Sequence, residues 1–155
     1  MQPRSARIDF AKQLLVEGRN EEFFFRAFLR HLAVEGVQVQ PYNGRDNLAN
    51  FLRELADLAE FEMVESIGIV RDADNSAHSA LQSVQSSLRN LGLPAPTVFR
   101  ESAGTLPKVS IFVMPDNEHA GALEQLCLQA LVDDPVMPCV AGFLQCVERL
   151  SLIHI

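Results

Sequence analysis

The chain has 155 residues, 48% of them hydrophobic, three cysteines and a formal net charge of −7. That length holds one ordinary domain around one core, and the charge excludes a protein that coats nucleic acid through a broad basic face, because such binding neutralises many phosphates. No run approaches the roughly 20 apolar residues that cross a bilayer, and Met1-Gln2-Pro3-Arg4 leads into charged sequence without an apolar signal core; a cytoplasmic protein without membrane association is expected. Cys127, Cys139 and Cys146 form no close CxxC pair, so neither a zinc site nor a disulfide framework is suggested, and buried thiols are expected.

In chain order, residues 11–16 read as a short buried strand that ends at Glu17-Gly18. A helix is expected over 20–35, capped by Asn20, with Glu21 and Glu22 at its positive end and Phe24, Phe25, Phe28, Leu29 and Leu32 in helical-period rows. Residues 37–40 alternate as a second strand, Tyr42-Asn43-Gly44 is a turn signal, and Asp46 is expected to cap a helix burying Leu48, Phe51, Leu52 and Leu55. Residues 66–70 are apolar on both faces, as a central parallel strand requires, and run into Arg71-Asp72-Ala73-Asp74.

Ser76 caps the next expected helix, whose row Ala77, Ala80, Leu81, Val84, Leu88 and Leu91 is closed by Gly92 and Pro94. Residues 94–108 read as a surface excursion with a short strand at 97–100, and 109–114 as the last strand. Helices over 121–132 and 138–150 complete a single domain, 1–150; the apolar tail 151–155 has no evident partner and carries no functional argument. Alternation of strands and helices through short loops selects an α/β domain, a mainly parallel Rossmann-like sheet with helices on both faces.

In such sheets ligands bind beyond the carboxyl ends of the strands. Glu17 follows the first strand, Asp72 and Asp74 the third, and Asp116, Glu118 and Glu124 the last. The i, i+2 spacing of Asp72 and Asp74 points both side chains one way along extended chain. Clustered carboxylates repel, and an all-oxygen set favours Mg²⁺ or Mn²⁺ as the compensating cation over zinc. Each motif alone has a plain reading: Glu-Gly ends a strand, and Asp74 caps a helix or starts a turn. Arg71 either neutralises charge developing in a transition state or pairs with a neighbouring acid.

Charge is uneven: residues 1–53 hold eight Lys or Arg against six Asp or Glu, and 54–155 five against fourteen. Phosphate contacts are therefore expected from Lys12, Arg19, Arg26 and Arg45, with ordinary solvated helix faces as the alternative for each. His119 reads as a surface-loop residue beside the site, and His31 and His78 as exposed helix residues.

Leu14-Leu15-Val16-Glu17-Gly18-Arg19-Asn20-Glu21 and Ile69-Val70-Arg71-Asp72-Ala73-Asp74-Asn75 together resemble the two defining motifs of the Toprim family. That family occurs in topoisomerases, bacterial primases, recombination proteins and nucleases of the overcoming-lysogenisation-defect type. Val113-Met114-Pro115-Asp116-Asn117 with Gly121-Ala122-Leu123-Glu124 looks more like a small group of stand-alone Toprim-related proteins. The resemblance, over residues 10–150, implies a Toprim-like fold, a catalytic Glu17, Mg²⁺ ligation by Asp72 and Asp74, and a further acid from Glu124 and Asp116. Glu21 stands where many family members have Asp.

The implied activity is Mg²⁺-dependent, nuclease-like phosphodiester chemistry on nucleic acid, alone or with a partner protein. The alternative is a catalytically silent binding or regulatory module in a defence or repair assembly, as a homo-oligomer or with a partner. Strand passage and primer synthesis need further domains, and Tyr42, the single tyrosine, is expected to be structural. An aspartyl-phosphate reading of Asp72-Ala73-Asp74, as in haloacid dehalogenase-like phosphatases, fails on chain order, since that motif belongs on the first core strand and Lys108 is the sole later lysine.

Overall fold

The structure is a computed structural model, described here for residues 6–150. Strand β1 (Lys12–Val16) leads to helix α1 (Arg19–His31), then β2 (Val37–Pro41), α2 (Leu48–Ala56), β3 (Ser66–Asp72) and α3 (Ala77–Asn90). A two-residue β4 (Ser102–Ala103) precedes β5 (Lys108–Met114), and α4 (Leu123–Ala130) and α5 (Met137–Arg149) close the chain. The strands form one sheet in the order β2-β1-β3-β5-β4, parallel except for β4. This is a Rossmann-like α/β domain. From β1 the chain goes first to β2 on one side and then to β3 on the other, so the topological switch point falls between β1 and β3.

Strand alternation feeds two cores. On one face Leu15, Ile67, Ile69, Val109 and Ile111 pack with the apolar sides of α2 and α3. On the other, Val16, Val39, Val70 and Met114 pack with Phe25 of α1 and Leu123 of α4. Tyr42 is fully buried and donates to the Val70 carbonyl at 3.0 Å, the structural role expected of it. At the outer strand β2, buried Gln38 and Gln40 clamp the segment before β1: Gln38 Oε1 accepts from the Asp9 amide at 2.7 Å, and Gln40 Nε2 donates to the Arg7 carbonyl at 2.7 Å. Gln13 joins the two side chains, so this polar network is satisfied inside the fold.

Several boundaries differ from the sequence expectation for local reasons. Helix α1 begins at Arg19 with Gly18, not Asn20, at its N-cap. It ends at His31 because Ala33 adopts φ +53°, while the Ala33 amide donates to Arg30 O and the Val34 amide to Leu29 O, a Schellman closure with alanine where glycine is usual. Asp46 does not cap α2. It lies in a 3₁₀ turn (45–47), and Asn47 at the N-cap uses its side chain on the Tyr42 carbonyl instead. No strand forms at 97–100; the antiparallel pairing falls at Ser102–Ala103.

Ser76 caps α3 as expected, accepting from the Ser79 amide, and His31 and His78 are exposed. The expectation of buried thiols is corrected: Cys127 is half-buried, and Cys139 and Cys146 are exposed because α5 buries none of its residues. The tail 151–155 lies outside the described residues. Among the described residues no helix is long and apolar enough to cross a membrane.

The left-handed backbone at Ala33 predicts a stabilising replacement. Ala33→Gly relieves a strain of about 1–2 kcal/mol and costs roughly 0.5–1 kcal/mol of added unfolded-state entropy. The expected net gain is about 0.5–1 kcal/mol, read as a higher urea midpoint at unchanged m-value; a lower midpoint refutes the strain.

Candidate functional site

The registers that build the sheet also build the site. β1 pairs with β3 from Lys12↔Ser66 to Leu15↔Ile69, and two further residues along that register set Glu17 beside Arg71. β3 runs longer than the sequence suggested and ends at Asp72, opposite Met114 of β5. Its backbone stays tied to β5 for one more residue, through the Ala73 amide and the Met114 carbonyl at 3.0 Å. Asp74 then leaves the extended path with φ +51° and exchanges two hydrogen bonds with Gly121, at 3.0 and 2.9 Å. The i, i+2 argument for Asp72 and Asp74 therefore does not hold. The Asp74 side chain is set by this bridge and by Arg45, whose Nη1 lies 3.7 Å from Asp74 Oδ2.

Glu17 Oε2 sits 3.3 Å from Arg71 Nε and accepts from the Asp72 amide at 3.4 Å. Arg71 is 6% exposed, so the cation is desolvated and its charge is felt strongly nearby. The Arg71 Nε–H makes no hydrogen bond, although the ion-pair distance to Glu17 is short. Of the two readings of Arg71, the geometry realises the pairing with a neighbouring acid. Burial raises Glu17 above the usual carboxylate range against the opposing pull of Arg71 and the Asp72 amide, with Asp74 and Glu21 adding repulsion.

Asp72 is the most perturbed acid of the pocket. Burial first, then repulsion from Glu17, Glu21, Asp74 and Glu124, pushes its pKa up to about 7. Its Oδ1 is buried without a hydrogen-bond partner among the described residues. An oxygen held in this way lacks the compensation that buried polar groups ordinarily have.

Glu21 is the site residue that sequence reasoning missed. It is 9% exposed, and its carboxylate folds back over the N-cap, so that a Cβ at Gly18 would lie 2.9 Å from Glu21 Oε2. The available signal was Glu17-Gly18-x-x-Glu21: one helical turn separates the acids, and the glycine leaves room for the second to approach the first. From sequence it reads as an acid at the positive end of the helix and, by the family resemblance, as a residue standing where many members have Asp, without a place in the pocket.

The other expected residues are distributed as follows. Glu124 is exposed in the first turn of α4 and near enough to repel Asp72. Asp116 spends its carboxylate within its own loop, accepting from the Glu118 and His119 amides at 3.0 and 2.8 Å and contacting His119 Nδ1 at 2.7 Å. These bonds lower its pKa to about 2, and its hydrogen bond to the exposed His119, then its charge, raises that of the imidazole.

Lys12 opens β1 at the amino end of the sheet, about 16 Å of strand away from Glu17. Arg26 is bound to Glu22 and to the Val39 carbonyl, and Arg19 is exposed on the first turn of α1. Arg45 is the expected basic residue that contacts a site acid, and it borders an open cavity of about 440 Å³ lined by residues 43–47. Two cavities of about 330 and 450 Å³ lie along the outer edge of β2, beside Arg7 and Arg26, and neither is lined by Glu17, Asp72 or Asp74. Among the described residues no three His, Cys, Asp or Glu side chains are drawn together tightly enough to hold a metal ion as they stand.

Fold and site thus define a Rossmann-like α/β protein with carboxylates and a buried arginine at its sheet switch point. The chain belongs to DUF3226, a family described as protein of unknown function, whose profile matches residues 11–153. No curated protein and no solved structure matches the chain.

The raised Asp72 pKa has a defined consequence for stability. Taking the unfolded value as 3.8 and the folded one as about 7, the contribution is fully present below 3.8 and is lost as pH rises through 7. Without divalent cations the protein is therefore expected to be more stable at pH 5.5 than at pH 8. Asp72→Asn should reduce this difference by on the order of 1–2 kcal/mol after allowance for solvent screening at a half-buried group. Thermal melts across this range check it; an equal slope in wild type and Asp72→Asn refutes the assignment.

Proposed function

We propose that the pocket binds a hard divalent cation, Mg²⁺ or Mn²⁺, through Asp72 with Glu17 and Asp74, and that the protein performs nuclease-like phosphodiester chemistry of the Toprim type. The observation that carries this reading is the buried, unpartnered Oδ1 of Asp72 among further carboxylates. The donor set is all oxygen, as hard cations require, and Mg²⁺ commonly uses only one or two carboxylates while retaining waters, so a preformed group of three is not needed. A bound ion of this kind supplies charge neutralisation at a phosphoryl oxygen and a more acidic bound water.

The chain's own groups have separable roles in this reading. Arg71 and the Asp72 amide hold Glu17 Oε2 at the end of β1, which leaves its other carboxylate oxygen for a cation or a proton. Glu21 and Glu124 add negative potential that favours cation entry. Arg45, whose side chain is 60% exposed beside Asp74, would meet a substrate phosphate by bidentate hydrogen bonding. With Lys12 at the far end of the sheet and Arg26 in an ion pair, this favours a short phosphodiester segment over a long bound duplex.

Titration with Mn²⁺, followed by electron paramagnetic resonance, tests binding directly. Asp72→Asn and Glu17→Gln should each weaken it by about tenfold or more, equivalent to ~1.4 kcal/mol. Incubation of labelled single- and double-stranded DNA and RNA with Mg²⁺ or Mn²⁺ should give cleavage that falls about 10²–10⁴-fold in Glu17→Gln. Mn²⁺ binding without cleavage supports the silent module instead, and wild-type protein that takes up no Mn²⁺ at millimolar concentration ends the metal-dependent reading.

A further inference from the structure

Two arginines serve the acids of the pocket, and they are held in opposite ways. Arg71 is 6% exposed and lies 3.3 Å from Glu17. Parting that pair would leave a buried charge without compensation, which costs far more than an exposed ion pair contributes. Arg45 reaches Asp74 from the surface: its side chain is 60% exposed, that of Asp74 is 47% exposed, and 3.7 Å separates Nη1 from Oδ2. Asp72, the third acid, is in no ion pair among the described residues.

The backbone that carries Arg45 is fixed. The Gly44 amide donates to the Glu17 carbonyl at 2.9 Å, Arg71 Nη1 donates to the Arg45 carbonyl at 3.5 Å, and Asn47 Nδ2 donates to the Tyr42 carbonyl at 2.7 Å. The loop is thereby tied to the carboxyl ends of β1 and β3. The Arg45 side chain is not tied to one partner. Its Nε also lies 3.5 Å from Asp46 Oδ1, a side chain 95% exposed, and the open cavity of about 440 Å³ beside residues 43–47 gives it room to move.

We propose that Arg45 is the pocket's internal counter-ion: its guanidinium holds Asp74 until a divalent cation binds there, then gives Asp74 up and keeps Asp46. The proposal rests on the reading of the pocket as a divalent-cation site. A divalent cation carries twice the charge of a guanidinium and approaches a carboxylate oxygen to about 2.0–2.1 Å when it is Mg²⁺, against 3.7 Å for Arg45. Coulomb attraction grows on both counts, and a pair this exposed is lost at little cost, so the exchange favours the cation. Arg71 makes no such exchange, because it is buried and has no exposed carboxylate to turn to. The same exchange frees the Arg45 guanidinium for a substrate phosphate.

Mn²⁺ titration of the full chain, read by electron paramagnetic resonance at about 0.15 M salt to screen distant exposed charges, tests the proposal without any measurement of activity. Arg45→Gln is expected to bind Mn²⁺ about two- to fivefold more tightly than wild type, with unchanged circular dichroism because the side chain is exposed. In an Asp74→Asn background the same Arg45→Gln change should leave affinity unaltered, since the carboxylate for which it competes is gone. Equal affinities of wild type and Arg45→Gln overturn the proposal and leave the cation site standing. So does a gain that persists in full in Asp74→Asn, which would make Arg45 a general positive charge. Failure of wild type to take up Mn²⁺ at all ends the cation site and the proposal together.

Discussion

The parallel hydrogen bonding of β1 to β3 is the constraint on which the acidic pocket depends. Those bonds align residues more than fifty positions apart in the chain and bring the two strands to a common carboxyl end. The chain turns to opposite sides of the sheet on leaving them, so the space above is left open by the covering helices. Glu17 meets Arg71 and the Asp72 amide there, and nothing in either local segment would produce that meeting. A slip of one residue would turn the apolar set of β3 to the wrong core face, so the cores that fix the register also fix the site.

Electrostatically the pocket is held away from balance. Arg71 is a single buried cation beside Glu17, while Asp72 faces Glu17, Glu21, Asp74 and Glu124. Burial raises the cost of each ionised carboxylate, and repulsion among them raises it further. The remainder of the fold makes the opposite choice with its polar groups: Gln13, Gln38 and Gln40 are buried but bond one another and the backbone of residues 7–10. Among the described residues the buried side-chain atoms without a hydrogen bond, Arg71 Nε and Asp72 Oδ1, both lie at the switch point, and perturbed carboxylates collected in one cleft are a mark of functional sites.

The helices differ in how much apolar surface they bury. α2 and α3 direct apolar rows into a sheet face and α1 and α4 each bury one apolar residue, Phe25 and Leu123, whereas none of the residues of α5 is buried. Apolar residues along α4 and α5, Leu128, Leu131, Phe143 and Leu150 among them, remain at the surface. The same difference places Cys139 and Cys146 in solvent, against the expectation drawn from cysteine usage. Composition records how much apolar surface a chain carries, and only the packing records whether the chain itself covers it.

Periodicity determined the order of the strands and helices, the central character of β3, the cap at Ser76 and the placement of acids at strand ends, because each follows from neighbours a few residues apart. The helix limits at Gly18 and Ala33 and the absence of an Asp46 cap on α2 were not legible, since they depend on hydrogen bonds that compete over individual backbone groups. The partners of the acids were legible only in part. Glu17 and Asp72 share a strand-end rule readable from the sequence, but the commitment of Asp116 to its own loop, the turn of Asp74 toward Gly121 and the return of Glu21 over Gly18 are three-dimensional events. Side-chain direction, desolvation and mutual repulsion arise when separate segments close on one another, and a linear order of residues does not carry those distances.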